Sequence, residues 1–331
     1  MVDPCGQQNI NNNPNRVRNC AAAGVPTTET FNGITGPFRN VPASGILGLN
    51  GSNPNLEEER GTSYTAGVVF QPEFVPGLAI TVDYYKITVK NAISSLAGQT
   101  IINQCYDNPS GIDNPFCAAI TRNPNGTFAG QSNVTLANGT QVEFPRTGVS
   151  FISGPFNFAR LKTSGVDTDI SYRTKFGGTT SLSLRGLVSY VINRDNYTDI
   201  NRPEFINQQL LELGDPRWEG TLSANIDFGV LDLGYRFRYV GKQTIAAFEA
   251  TNSLQGRAPE NPDAFPREYY PIITYSDFRI GIDATDKFQF SFGVDNAFDR
   301  LPPFGLTGTG GGDGIYDNVG RRFYAGVDVR F

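Results

Sequence analysis

The chain has no histidine, one methionine and one tryptophan among 331 residues. Without histidine, acid–base catalysis loses its usual proton carrier and zinc loses its commonest nitrogen ligand. Serine and aspartate are plentiful, but no nucleophile motif holds them, so the residues argue against an enzyme. No apolar run approaches the roughly 20 residues of a membrane helix. That excludes helical spans but not spanning strands, whose two-faced pattern keeps hydropathy low; here mean hydropathy is −0.29. Basic runs are missing and the net charge is −5, which argues against nucleic acid as a partner. The opening MVDPCGQQNINNNPNRVRNC lacks the basic, apolar and cleavage regions of a signal peptide. For an exported chain this implies that Met1 is not the true start, or that the chain is a piece of something larger.

What is abundant is glycine (37), phenylalanine (24) and tyrosine (14), a balance that suits sheets, turns and aromatic girdles. The final stretch, VGRRFYAGVDVRF from Val319 to Phe331, alternates strictly. Phe323, Ala325, Val327, Val329 and Phe331 point one way; Arg322, Tyr324, Gly326, Asp328 and Arg330 point the other. A period of two means a strand with unlike faces. An apolar face that begins and ends in Phe, opposite a charged one, suits lipid on one side and water on the other. Eight earlier stretches repeat the format, at about 62–70, 78–89, 159–176, 180–192, 218–228, 231–239, 274–284 and 288–294. In the second the phase slips near Asp83–Tyr85, which predicts a β-bulge.

Connections alternate in length. Residues 71–77, 177–179, 229–230 and 285–286 are short; 91–158, 193–216, 241–272 and 299–318 are long. Outer-membrane barrels have tight periplasmic turns and long external loops. Arranged that way, Phe70, Phe176, Phe228, Phe288 and Phe331 share one interface. Tyr64, Tyr190, Trp218, Tyr239 and Phe323 share the other, giving two aromatic belts. On strands four to nine no charge takes a central outward position, where it would cost about 2–4 kcal/mol. The expected fold is all-β: an antiparallel transmembrane β-barrel fragment of about nine strands, open or incompletely closed. The first strand would be an exposed edge. Residues 1–61, rich in Asn, Gly and Pro, are expected as an exposed external loop region and 62–331 as barrel.

Cysteines fall in two pairs, Cys5/Cys20 and Cys105/Cys117. Such pairs suggest disulfides in an oxidising compartment. Three connectivities are possible, and neighbour pairing closes the shortest loops. Zinc fits poorly, with no histidine and neither pair at close ligand spacing. Asn114-Pro115 reads as an N-cap with proline at the first helical position, predicting a short helix to Arg122. Leu96–Tyr106 reads as another, which a Cys105–Cys117 bridge would tie to the first.

Several segments resemble one family, the TonB-dependent outer-membrane receptors. NPNLEEERGTSYTAGVVFQP (Asn53 to Pro72) resembles that family's strand entry, and IINQCYDNPSGIDNPFCAAITR (Ile101 to Arg122) resembles a cysteine-bridged external loop of its larger members. TSGVDTDISYR (Thr163 to Arg173), FSFGVDNAFDRLPP (Phe290 to Pro303) and GRRFYAGVDVRF (Gly320 to Phe331) resemble its last strands and its terminal-Phe signal. Such receptors have about 22 strands around a plug. The resemblance therefore implies the C-terminal portion of a receptor in a Gram-negative outer membrane. The plug, the TonB-binding segment and about thirteen strands would lie elsewhere. It implies energy-coupled uptake of a bulky, scarce nutrient: an iron-siderophore, a cobalamin or an oligosaccharide. The partners would be outer-membrane lipid, the ligand and, through the missing parts, the TonB complex. No cofactor is implied. The competing classes are a soluble or surface-attached β-sheet adhesin and a passive porin.

Candidate site residues are of two kinds. Tyr197, Phe205, Phe248, Tyr269 and Tyr270 fall in the long loops, where they would stack on a ligand or pack the loops together. Arg185, Arg236, Arg238, Arg322 and Asp227, with Asp167, Asp169, Asp328 and Arg330, have the parity of the lumen. They would line a ligand path, or pair with each other or with a plug. GTGGGDGIYD (Gly308 to Asp317) touches a calcium-binding repeat, but a single copy does not stack. Gly177-Gly178 is a turn, with no helix after it to cradle phosphate.

Overall fold

The computed structural model describes residues 2–31, 33–42, 48–129, 133–135, 141–143, 149–200, 202–305 and 314–330. Phe331 and most of Gly308 to Asp317 lie outside the described residues. The chain forms two compact units. The first gathers Met1–Arg60, Lys90–Arg160 and Thr198–Phe205; the second gathers Gly61–Val89, Leu161–Tyr197 and Ile206–Phe331.

Period-two alternation becomes one large sheet. Its strands are β1 (Arg60–Phe70), β2 (Leu78–Ser95), β3 (Pro155–Phe176), β4 (Thr180–Tyr197), β5 (Trp218–Asp227), β6 (Leu231–Val240), β7 (Ile273–Thr285), β8 (Phe288–Asp295) and β9 (Arg322–Val329). They neighbour one another in chain order, with β1 and β9 at the two ends, and the sheet does not close. A short strand, Asn207–Gln208, adds to β4. β1 is exposed along its whole length, as expected of an edge. β2, β3 and β4 run past their expected limits, to Ser95, from Pro155 and to Tyr197. In those extensions the apolar alternation fades, so the side-chain pattern stops before the strand does.

Register sorts the two faces. Leu182, Ile226, Leu233, Ile280, Phe292 and Ala325 lie opposite one another in turn across β4 to β9. Leu184, Ala224, Tyr235, Phe278, Val294 and Phe323 form a second apolar row. Between them runs Ser183, Asn225, Gly234, Arg279, Gly293 and Tyr324, on the opposite face. Neither apolar row contains a charge. None of their side chains is buried, and Phe278, Ile280, Phe292 and Phe323 are exposed, Phe323 at 78%, an apolar surface that suits lipid better than water. Cross-strand ring pairs stiffen this face: Tyr190 meets Trp218 at 4.4 Å and Tyr235 meets Phe278 at 5.0 Å between centroids. The hairpin turns use left-handed glycines, Gly178 at φ 87° and Gly229 at φ 91°. On the polar face the Tyr324 ring lies over Gly293, where an added Cβ would stand 2.1 Å from it. The β7–β8 register shifts between Asp283 and Thr285, an irregularity the alternation does not announce.

The first unit corrects one expectation. The described residues of 1–61 are partly ordered and partly buried rather than exposed loop throughout. They contribute helix α1 (Arg16–Ala22), a hairpin of Thr28–Phe31 with Ile34–Pro37, and Gly48–Asn50, which pairs in parallel with Phe151–Ser153. Cys5, Cys20 and Phe38 enter a core with Ile101, Ile102, Phe116, Phe128 and Phe151. Both neighbour disulfides are formed, Cys5–Cys20 and Cys105–Cys117. The second ties helix α2 (Gly98–Asp107) to helix α3 (Pro115–Ala118). Asn114 caps α3 as expected, accepting from the N–H groups of Phe116 at 3.1 Å and Cys117 at 3.0 Å. The helix ends at Ala118 rather than Arg122. Ile120 already bonds back to Cys117, and the Thr121 N–H donates to Ser150 at 2.8 Å, which draws the backbone out of the helix.

A buried ion pair completes this core. Arg122 donates to both carboxylate oxygens of Asp3 at 2.7 Å, and their side chains are 9% and 0% exposed. The guanidinium also donates to the Tyr106 hydroxyl at 2.7 Å and lies 4.2 Å from the Phe128 ring centroid. Burial alone would lower the Arg122 pKa, but the Asp3 carboxylate more than offsets that and holds it above its ordinary value.

Candidate functional site

Polar parity gathers side chains from four strands around one cavity of the second unit. It has a volume of about 510 Å³ and is lined by Arg236 and Arg238 of β6, Tyr275 and Asp277 of β7, Asp295 of β8, Arg322 of β9 and residues 316–319. A second space of about 280 Å³ shares Arg236, Asp277 and Asp295, and extends to Asn225, Arg279 and Tyr324. Register sets the geometry: Arg236 lies opposite Asp277, Arg238 opposite Tyr275, and Asp295 opposite Arg322.

Charges here are partly matched. Arg322 donates to Asp295 at 3.1 Å. Asp277 accepts the Asn296 N–H at 2.8 Å. The Arg238 guanidinium lies 4.5 Å from the Tyr275 ring centroid, and the Tyr275 hydroxyl accepts the Asp317 N–H at 2.9 Å. Among the described residues neither Arg236 nor Arg238 is in an ion pair. The cavity thus offers two guanidiniums to a ligand, with fork geometry suited to carboxylate-like oxygens.

One end of the cavity is held by a buried polar contact. Gln243 is fully buried and donates to the Tyr316 hydroxyl at 2.7 Å, while its carbonyl accepts the Gly214 N–H at 2.5 Å. Tyr316 packs with Val240, Tyr270 and Ile273. Burial, with Tyr275 and Tyr270 nearby, pushes the Tyr316 phenol up to about 12, so it stays a protonated hydroxyl at neutral pH.

The expected lumen residues separate in space. Arg236, Arg238 and Arg322 share the cavity. Arg185 instead pairs with Asp169 at 2.9 Å, and Asp227 accepts the Gly229 N–H at 2.7 Å in the β5–β6 turn. Of the loop aromatics, Tyr197 is the last residue of β4 and is buried, with the Lys162 ammonium 4.7 Å from its ring centroid. Phe205 belongs to the first unit, beneath the Arg202 guanidinium at 3.9 Å. Phe248 opens helix α4 (Phe248–Thr251), and Tyr269 and Tyr270 pair with Thr244 and Gln243. The Tyr269 hydroxyl donates to Asn252 at 3.0 Å. Asp277, Asp295, Tyr275 and Tyr316 escape a reading of the sequence. Parity would have placed Asp277 beside Arg279 and opposite Phe278, but nothing in the sequence brings Tyr316 to Tyr275.

Fold and site together define an outer-membrane type of β-wall with a polar, arginine-bearing inner face. Comparison with known families sharpens this: residues 23–297 match the family described as TonB dependent receptor-like, beta-barrel. The chain belongs to that family, whose members are outer-membrane receptors and transporters rather than enzymes. Among curated protein sequences none matches it. Solved structures similar to it include the siderophore receptor PirA from Acinetobacter baumannii, with a TM-score of 0.50, 16% identity and coverage of 84% of this chain and 33% of that one. The ferric enterobactin receptor PfeA of Pseudomonas aeruginosa gives a TM-score of 0.48 and 14% identity, over 84% of this chain and 32% of that one. The FrpB iron transporter of Neisseria meningitidis gives 0.46 and 16%, over 86% and 33%. The chain thus spans about a third of the length of the solved receptors it matches.

Proposed function

We propose that this chain is the C-terminal barrel portion of a receptor that takes up a scarce, bulky ligand with inner-membrane energy delivered through TonB. The unbroken alternation of charge-free and polar rows from β4 to β9 carries this reading, because it suits a wall between lipid and a wet lumen. Residues 62–331 form that wall and the long connections, with residues 1–61, face outward to capture ligand. A plug and a TonB-binding segment outside this chain gate and pull. Phe248, Tyr269 and Tyr270 supply loop aromatics for the first encounter.

The cavity lining balances three arginines with three aspartates, and the reading of an anionic ligand, an iron chelate, rests on Arg236 and Arg238 being outside any ion pair among the described residues. Arg236 and Arg238 provide cationic forks and Tyr316 borders the same space with a protonated hydroxyl. Nothing in this cavity favours cobalamin or a neutral sugar. The test uses cells making the full receptor and radiolabelled ferric enterobactin and ferric citrate. Accumulation of one of them should stop with a protonophore and fall at least about tenfold in the Arg236→Ala, Arg238→Ala double variant. Accumulation indifferent to the protonophore would mark a passive pore. Accumulation indifferent to both arginines would overturn the ligand assignment.

A further inference from the structure

We propose that Cys117 is a site of reversible modification by small thiols, through which the redox state of the surroundings sets the packing of helix α3. The assignment goes beyond the uptake reading and does not depend on it. It starts from an asymmetry between the two disulfides. Cys5 and Cys20 are both sealed in the core of the first unit, 0% and 2% exposed. Cys105 is equally sealed, at 2%. Cys117 alone of the four is only half-buried, and its chain neighbours Asp113, Pro115 and Ala118 are exposed.

Access decides which sulfur reacts. A thiolate must reach a disulfide sulfur to exchange with it. In Cys5–Cys20 neither residue is open to solvent, so that bond opens only with the core. In Cys105–Cys117 the approach is from the Cys117 side. An incoming thiolate bonds to the Cys117 Sγ as the S–S bond breaks. The electron pair leaves on the Cys105 sulfur, which takes a proton from water. The products are a mixed disulfide on Cys117 and a free Cys105 thiol, with no other oxidant or reductant consumed. Cys105 shares its core with Ile101, Ile102 and Phe116, where a thiolate is disfavoured. It is therefore a slow leaving group, and exchange is expected over minutes to hours. For the same reason the freed Cys105 thiol is a weak nucleophile, so the adduct persists. Once outside thiol is withdrawn, Cys105 expels the adduct and the bond returns.

The structure couples this bond to the wall of a cavity. Helix α3 has four residues, too few to hold itself. Its first turn is tied by the bond to α2 and by the Asn114 cap. The two ties meet, since the Asn114 Nδ2 donates to the Cys117 Sγ at 3.4 Å. A substituent on that sulfur contends with the cap amide for the same space. With both ties weakened, the helix leans on the packing of Phe116 against Phe156, at 5.0 Å between centroids. Pro115, Phe116, Ala118 and Ala119 line a cavity of about 460 Å³ in this unit. Modification of Cys117 thus loosens one wall of that cavity.

The test exposes the full chain, folded in detergent micelles, to 2-mercaptoethanol, an uncharged monothiol. Samples are quenched by alkylation and mapped by peptide mass spectrometry without reduction. At early times the adduct should sit on Cys117 and the alkyl group on Cys105, with Cys5–Cys20 intact. The Cys105–Cys117 bond should open at least about tenfold faster than the other. In the modified chain, hydrogen exchange should quicken at the Phe116 and Cys117 N–H groups while α1 stays as protected as before. Washing out the thiol should restore the unmodified mass. The site is overturned if both bonds open at one rate, which marks attack through unfolding of the whole core, or if the adduct is found on Cys105. Unchanged exchange in α3 with the adduct in place overturns the coupling, and a chain in which neither bond opens short of thermal unfolding overturns the site as well. Energised uptake of iron chelates bears on none of these outcomes, so the two proposals fail separately.

Discussion

The two units solve opposite solvent problems with one polypeptide. In the sheet unit the apolar side chains are left outside, and stability comes from ladders between strands that are neighbours in the chain. In the first unit the apolar side chains go inside, and the parts that hold it come from far apart: Asp3 and Arg122 are 119 residues apart in the chain. One unit tolerates any apolar residue on its outer face and no charge. The other tolerates a charge in its core, provided the partner charge is present. The same guanidinium is therefore ruinous in one place and structural in the other.

That contrast can be broken directly. Arg122→Met should produce the largest effect, because it strands the buried Asp3 carboxylate; the cost expected is about 3–5 kcal/mol. Hydrogen exchange should show lost protection in α2 and α3 with β4 to β9 unchanged. A loss shared equally by the sheet would end the picture of two separately stabilised units. Next comes Ile280→Arg, which places a charge in the middle of an apolar row. Urea titration in lipid vesicles should record a loss of about 2–4 kcal/mol. The neighbouring Arg279→Ile, on the other face, should change little, and equal losses from the two would refute the assignment of faces. Asn114→Ala removes the cap of α3 and should cost about 1 kcal/mol, read as lower protection at Phe116 and Cys117.

The smallest effect is one of pH. Burial raises the carboxyl pKa of Glu212, countered in part by the Phe248 N–H it accepts. Burial likewise raises that of Asp215, with Arg194 countering. A carboxyl with a raised folded pKa binds more protons folded than unfolded. Its loop is therefore favoured below that pKa and weakened as pH rises through it, from just above the ordinary carboxylate range. The Thr244 N–H, which donates to Leu211, should exchange more slowly as pH falls into that window, after correction for intrinsic rates. Slower exchange on raising the pH would reverse the sign and the argument.

Sheet and site were not equally legible in the sequence. The strands were, because a period of two is a local signal and a membrane forbids exceptions to it. Leu233, Ile280 and Phe292 announce their face without any knowledge of their partners. The core of the first unit was not, because Phe38, Phe116, Phe128 and Phe151 follow no period and meet only after the chain has folded back repeatedly. The arginines of the cavity on β6 and β9 were visible by parity. Its tyrosines were not, since Tyr316 reaches Gln243 and the neighbourhood of Tyr275 through a loop. Cys105 and Cys117 stood close enough in sequence to suggest their bond. Asn157, which pins the backbone of both Glu57 and Asn91, carries no sequence signal at all.

The tight hairpins also set a timetable. Trp218 begins β5, which turns within three residues into β6, and the Phe228 N–H closes that turn on Leu231 at 2.8 Å. Hairpins of this kind form in about 1–10 μs, whereas joining Asp3 to Arg122 must first close a long loop. Trp218 is the lone tryptophan of the chain, so intrinsic fluorescence is a clock for the sheet that is blind to the other unit. Refolded into vesicles, the chain should brighten or shift in emission well before its disulfide-linked unit resists protease.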